Sequence, residues 1–358
     1  MIKCSSGYVL DAAGHCSRWG QTTDMDIGRT GHTLTTLNDN RVLVVGGEAG
    51  EEVHTGIFDP LKGAWDQAAP AVEPRTGHTA SALQDGKVLL VGGAASGLSQ
   101  PKVGFVYDPA LDEWRSTYEM QRVRQDHAAV VLDNGDVLVT GGGVGMQVLP
   151  DVEIFNVRQG TWRAVAPMGA PRKNHSVTVL SDGRVLVAGG SSDKNIVLAS
   201  VEVYDPVLDS WTPLAPMDAP RSHHTAIHAG NGKVMVVGGM GGGRVHRTTE
   251  VYYPKRDAWV EGASLRDPRW GHTMTVLQDG RLVVMGGGRT PAGRPQESVE
   301  VYGDGTFTVV LPMGTARIGH AATLLADGRV LVTGGIGPGE TLKTTRFLSS
   351  SEVYSVGW

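Results

Sequence analysis

Cysteine is almost absent from this chain: Cys4 and Cys16 are the two thiols among 358 residues. Two thiols, with only His15 close by, do not supply the four ligands of a structural zinc site, so no metal is expected. Charged residues are sparse, at 19%, and the formal net charge is −5. That balance leaves no electrostatic footprint for a phosphate backbone, so nucleic acid is not an expected partner. No run approaches the ~18 apolar residues of a membrane-spanning helix. No basic segment leads into an apolar one, so no secretory leader is visible. The compartment stays open between the cytoplasm and a secreted protein whose signal has been removed. What the chain has in abundance is glycine, 50 residues.

Residues 171–190, PRKNHSVTVLSDGRVLVAGG, show what that glycine does. Residues 175–180 alternate in polarity and are rich in β-branched side chains, as in a half-buried strand. Asp182-Gly183 supplies a two-residue hairpin turn, a more apolar strand follows, and Gly189-Gly190 ends it. Such a hairpin needs neighbours to bury its face, and the neighbours are copies of itself. An Arg-x-x-His step begins at Arg29, Arg75, Arg124, Arg172, Arg221, Arg269 and Arg317, and each is followed by a double glycine. After each double glycine come a variable loop and an aromatic: Phe58, Tyr107, Phe155, Tyr204, Tyr252, Tyr302 and Tyr354. Seven residues later stands Trp65, Trp114, Trp162, Trp211 or Trp259. A repeat of roughly 40–50 residues holding four strand-sized pieces is the signature of a β-propeller blade.

These motifs, the double glycine and then the aromatic pair, resemble the kelch repeat family over residues 17–358. The resemblance implies an all-β, seven-bladed β-propeller of four-stranded blades, with residues 1–16 as an N-terminal extension. Trp19 stands ten residues before Arg29, the offset that separates Trp65 from Arg75. It therefore reads as the outer-strand Trp of a blade whose other strands lie at the far C-terminus, and the pairing of the two ends is expected to close the ring. Cys4 and Cys16 fall outside the repeat; a local disulfide, implying an oxidising compartment, and two free thiols are both open.

A residue found in every unit is expected to build blades. The repeated Arg needs a buried partner, and Glu153, Glu202, Glu250, Glu300 and Glu352 stand two residues before the blade aromatic. Gly56 and Phe105 break that rule. Whether Arg pairs within its own blade or with the preceding one, Arg75 is left without a framework carboxylate, which makes it a candidate anion hook.

Function in such a ring is expected where the blades differ. Inside Arg-x-x-His, units three to six carry Asp126, Asn174, His223 and Trp270, which the frame does not require. Among the loops after the double glycines, Glu48, Glu51, Glu52 and His54 form an acidic cluster, and Arg244 and His246 flank a glycine-rich stretch in unit five. The longest loop, 336–350, is a candidate lid over the channel. Kelch enzymes offer no match: both cysteines lie outside the blades, whereas a galactose oxidase-like copper site needs a Tyr–Cys crosslink, and Glu48-x-x-x-Glu52 is followed by Gly56 rather than the His of an iron-binding specifier pattern.

Three readings are open. The expected one is a monomeric module binding a protein, peptide or small ligand in the funnel at one end of the channel, through Arg75, Asp126, Asn174, His223, Trp270, Arg244, His246, Glu51 and His54, with no cofactor. An alternative is an isomerase, lyase or cyclase using His223 and Asp126 as acid and base with Arg75 as anchor. A third is a carbohydrate-facing structural domain of a secreted protein.

Overall fold

The computed structural model describes residues 4, 9–10, 16–48, 55–71, 73, 75–94, 101–339 and 344–357. Among these the chain is all β apart from one short 3-10 turn, Asp193–Asn195. It forms seven four-stranded antiparallel blades of a β-propeller fold. The chain divides into two compact units, Met1–Ala71 with Ala263–Trp358, and Val72–Gly262. The first unit holds blades one, six and seven; the second holds blades two to five.

Blade four shows how the sequence makes this architecture. Strands Ser176–Val179, Val185–Ala188, Val201–Asp205 and Ser210–Leu214 pair in order, and Val179 faces Val185 across the Asp182-Gly183 turn. The second strand is buried on both faces, so it reads as an unbroken apolar run. Tyr204 and Trp211 are cross-strand partners with ring centroids 5.0 Å apart. The same pair recurs as Tyr107–Trp114 and Tyr252–Trp259, which is why the aromatics keep phase with the repeat. Clusters such as Leu138, Ile154, Val185, Val187 and Tyr204 span blades three and four, so adjacent blades within a unit share a core.

The seventh sheet mixes the two ends of the chain. Its C-terminal strand, Ser351–Gly357, pairs with Cys16–Gln21, placing Trp19 opposite Tyr354. The N-terminal strand begins at Cys16, within the extension expected from the repeat boundaries, because the ladder continues to a Cys16–Gly357 pair. Val9–Leu10 adds a short fifth strand, and Cys4 is disulfide-bonded to Cys16.

The repeated Arg and His are framework. In the five blades that carry the Glu, Arg pairs with the Glu of its own blade: Arg124–Glu153 at 2.8 Å, Arg172–Glu202 at 2.6 Å, Arg221–Glu250 at 2.7 Å, Arg269–Glu300 at 2.6 Å and Arg317–Glu352 at 2.6 Å. The same carboxylates accept backbone N–H groups from the loop before the Arg, as Glu202 does from Gly169 and Ala170. Each buried ion is thus both paired and hydrogen-bonded, the condition for tolerating it in a core. Five of the repeated His, 32, 127, 175, 224 and 320, bring Nε2 within 2.7–2.9 Å of a hydroxyl on the preceding blade, as in His175–Thr140 and His32–Thr333. Burial holds His127, His175 and His320 well below the usual imidazole range, so they act as neutral links.

Candidate functional site

The second residue inside Arg-x-x-His lies at the entrance to each inner strand with positive φ. Blades one, two, six and seven place glycine there: Gly31 (68°), Gly77 (65°), Gly271 (58°) and Gly319 (65°). Blades three, four and five place Asp126 (56°), Asn174 (53°) and His223 (53°). A side chain in this conformation costs about 1 kcal/mol, less for Asp and Asn. The backbone at these positions is chained from blade to blade. Asp126 N–H donates to the Gly77 carbonyl at 2.8 Å, Asn174 N–H to Asp126 at 2.9 Å, and His223 N–H to Asn174 at 3.1 Å. Three polar side chains therefore form a row, each one hydrogen bond from the next.

Two members of the row, Asp126 and Asn174, are short of partners. Among the described residues neither the Asp126 carboxylate nor the Asn174 amide has a side-chain hydrogen bond. Burial pushes the Asp126 carboxyl up from its usual value, an effect opposed by the charge of Lys173. Burial, reinforced by the same Lys173, pushes the His223 imidazole down to about 4. His223 Nδ1 lies 3.3 Å from the Ser222 hydroxyl. Lys173 thus belongs to the site, although only its neighbour Asn174 was singled out from the sequence. The available signal was its place in the same two-residue insert. Gly77 also has a role: a Cβ there would stand 2.6 Å from Asp126 Oδ1, so the glycine makes room for the carboxylate.

The loops of these three blades stand on the same face, since Gln125 bridges Gly143, Lys173 bridges Ser191 and Ser222 bridges Met240. Blade three projects the hairpin Gly143–Val144 and Gln147–Val148, and blade five projects Met240–Gly241 and Arg244–Val245. The loop of blade four carries the 3-10 turn, and its Asp193 accepts from Val148 N–H at 3.1 Å. Met146 and Ile196 at these loops are 98% and 59% exposed.

The other expected residues are elsewhere. Trp270 holds the first position of its turn rather than the second, and its Nε1–H donates to the Thr290 carbonyl at 2.9 Å. It packs over Gly288 and Gly293 of its own blade, so it is not a member of the row. Arg75 lacks a buried carboxylate, as the break at Phe105 implies. Its guanidinium donates to Gly92 O at 3.1 Å and lies 5.1 Å from the Phe105 ring, with Glu73 at 3.9 Å. Its side chain is fully buried, so it presents nothing to a ligand. Burial lowers its pKa to about 10. Arg29, over Gly56, takes Asp26 at 2.9 Å instead. Arg244 and His246 line a cavity of about 420 Å³ in blade five. Glu51 and His54 lie outside the described residues. The 336–350 loop forms the hairpin Ile336–Pro338 and Thr345–Phe347, and Leu348 and Ser349 accept from Arg29 and Met25 N–H groups. The loops of blades three and four make the same kind of contact with the next blade.

The family described as the KLHDC2/KLHL20/DRC7 Kelch-repeats domain matches residues 31–239 and 77–288. The chain belongs to the kelch-repeat family. No curated protein matches this kelch chain at the level required of a relative. Among solved structures it is similar to a novel fungal alcohol oxidase of the AA5 family, in complex with copper, with TM-score 0.78, 19% identity, and coverage of 95% of this chain and 76% of that one. It is also similar to YjhT, with TM-score 0.63, 16% identity, and coverage of 81% and 99%. At such identities the likeness shows the fold alone.

Proposed function

We propose that this kelch propeller is a recognition module whose ligand, a protein or peptide segment, docks on the face of blades three to five and contacts Asp126, Lys173, Asn174 and His223. Kelch domains generally bind proteins. The observation that carries the reading is the row itself. Three adjacent blades spend backbone strain to hold polar side chains where four other blades use glycine, and among the described residues the Asp126 carboxylate and the Asn174 amide have no side-chain hydrogen bond. Strain and unsatisfied polarity concentrated at one place are the marks of a site kept for something outside the fold. Met146 and Ile196 give the rim apolar contacts beside that polar floor.

The test is a thermal-shift and peptide-array panel run on the wild type and on Asp126→Gly, Asn174→Gly and His223→Gly. Glycine restores the residue the other blades carry, so these variants fold. Ligands that stabilise the wild type and not the variants support the reading; identical responses refute it.

A second reading rests on the opposed displacements of Asp126 and His223. A neutral imidazole and a carboxyl of raised pKa in one polar row suit acid–base chemistry on a small polar substrate, in an isomerase, lyase or cyclase. It is favoured over pure binding if a small-molecule hit is consumed on incubation with the wild type and survives incubation with His223→Gly. The Cys4–Cys16 bond suits an oxidising compartment; thiol titration of protein taken from its native host, finding two free thiols, would place it elsewhere.

A further inference from the structure

Blade five holds a pocket whose lining does not include the row. Arg244 and Val245 of the blade's hairpin, the chain following it, 246–249, and Asp218, Ala219 and Glu261 line a cavity of about 420 Å³. Its floor is neutralised: Arg221 pairs with Glu250 at 2.7 Å and also donates to Thr248 Oγ1 at 2.8 Å. The remaining charges are Arg244 and Arg247 against Asp218 and Glu261. None of these four side chains has an ion-pair or hydrogen-bond partner among the described residues. The wall also contains His246, 5% exposed, whose Nε2 has no hydrogen-bond partner among the described residues. A buried ring nitrogen without a partner beside a cavity calls for a group that the protein does not itself supply.

We infer that this cavity binds a small zwitterion of about dipeptide size. Its carboxylate is met by Arg244 and Arg247, its ammonium by Asp218 and Glu261, and an N–H of the ligand reaches His246 Nε2. Arginine matches a carboxylate in two-point geometry, which fixes orientation as well as charge. The balanced pairs select against either ion alone: a simple anion leaves both acids unanswered, and a simple cation leaves both arginines unanswered. The volume lies in the range of small-molecule pockets and exceeds the needs of a single bridging water. Burial and the neighbouring Arg221 and Arg244 hold His246 down to about 4, so at neutral pH the ring is uncharged and Nε2 can accept a hydrogen bond.

The experiment is calorimetric titration of the whole chain with glycylglycine, N-acetylglycine and glycinamide, with the His246 ring resonances followed by NMR. Glycylglycine is expected to bind at least tenfold tighter than either singly charged probe and to shift the His246 ring. Arg244→Ala, an exposed position, is expected to lose at least tenfold in affinity, while His246→Asn loses the ring signal and severalfold affinity. Equal binding of the three probes, binding unaffected by Arg244→Ala, or no binding at millimolar concentration would overturn the inference, leaving the cavity to water. Because the glycine variants of the row leave this cavity intact, the two sites fail independently.

Discussion

Replacing Arg124 and Arg75 separately by Met contrasts a framework arginine with one outside the framework. Arg124 and Glu153 are both buried, 2.8 Å apart, and Glu153 also accepts the Gln121 and Arg122 N–H groups. Arg124→Met strands a buried carboxylate, at a cost of about 3–5 kcal/mol. Arg75 has no such partner. Its removal forfeits one hydrogen bond to Gly92 O, about 1 kcal/mol, and the contact with the Phe105 ring, about 1 kcal/mol. Against that stands relief of desolvation. The fall of its pKa from the usual arginine value to about 10 corresponds to about 3 kcal/mol. Arg75→Met is therefore expected within about 1 kcal/mol of wild type on this balance of terms. At the usual unfolding entropy per residue, a chain of this length shifts by about 1–2 °C per kcal/mol. Melting followed by tryptophan fluorescence should show Arg124→Met several degrees lower and Arg75→Met almost unmoved. Equal losses in the two variants would refute the distinction between paired and unpaired blades.

Gly77→Ala is expected to weaken ligand binding at the row while lowering stability by about 1–2 kcal/mol, because its Cβ would meet Asp126 Oδ1 at 2.6 Å on a backbone of φ 65°; unchanged affinity for a ligand found in the thermal-shift panel would contradict the placement. Stability should fall as pH drops from 6.5 toward 4. His223 titrates near 4 when folded and 6.5 when free, so the unfolded chain binds the extra proton in that window, a loss of up to about 3 kcal/mol. Urea titrations should show a shallower loss in His223→Gly; parallel pH curves for the two proteins would be inconsistent with a buried neutral ring. Reducing Cys4–Cys16 removes a cross-link over a short loop, worth about 2–3 kcal/mol in the chain-entropy account. Hydrogen exchange should then rise in Cys16–Gln21 and its partner Ser351–Gly357; no change in either strand would rule out a supporting role.

The frame was legible in the sequence because its causes are local and repeated. Asx-Gly turns, double glycines and Tyr/Trp partners each need a residue type at a fixed offset, and seven copies put them in phase. The own-blade pairing of Arg was undecided between two registers until the Glu contacts were seen, since both registers satisfy the same spacing. The site was half legible. Asp126, Asn174 and His223 stand out because glycine holds their position elsewhere, but Trp270 was grouped with them although it occupies the adjacent position, whose side chain turns to its own loop. Lys173 was missed because a lysine in a turn reads as solvated surface; only its proximity to Asp126 and His223 gives it a part. Arg75 was correctly seen to lack a carboxylate, but its enclosure against Phe105 follows from packing that spacing does not reveal.

The central claim is that Asp126, Asn174 and His223 serve a ligand and not the fold. Chemical denaturation of the triple variant carrying glycine at all three positions tests it without knowledge of the ligand. Relief of left-handed strain, about 1 kcal/mol at His223 and less at Asp126 and Asn174, together with removal of two desolvated groups, offsets the extra unfolded-state freedom of glycine, about 0.5–1 kcal/mol per site. The account predicts a triple variant at least as stable as the wild type at neutral pH. A loss of several kcal/mol would show that the three side chains hold the blades together, and the site would have to be sought elsewhere.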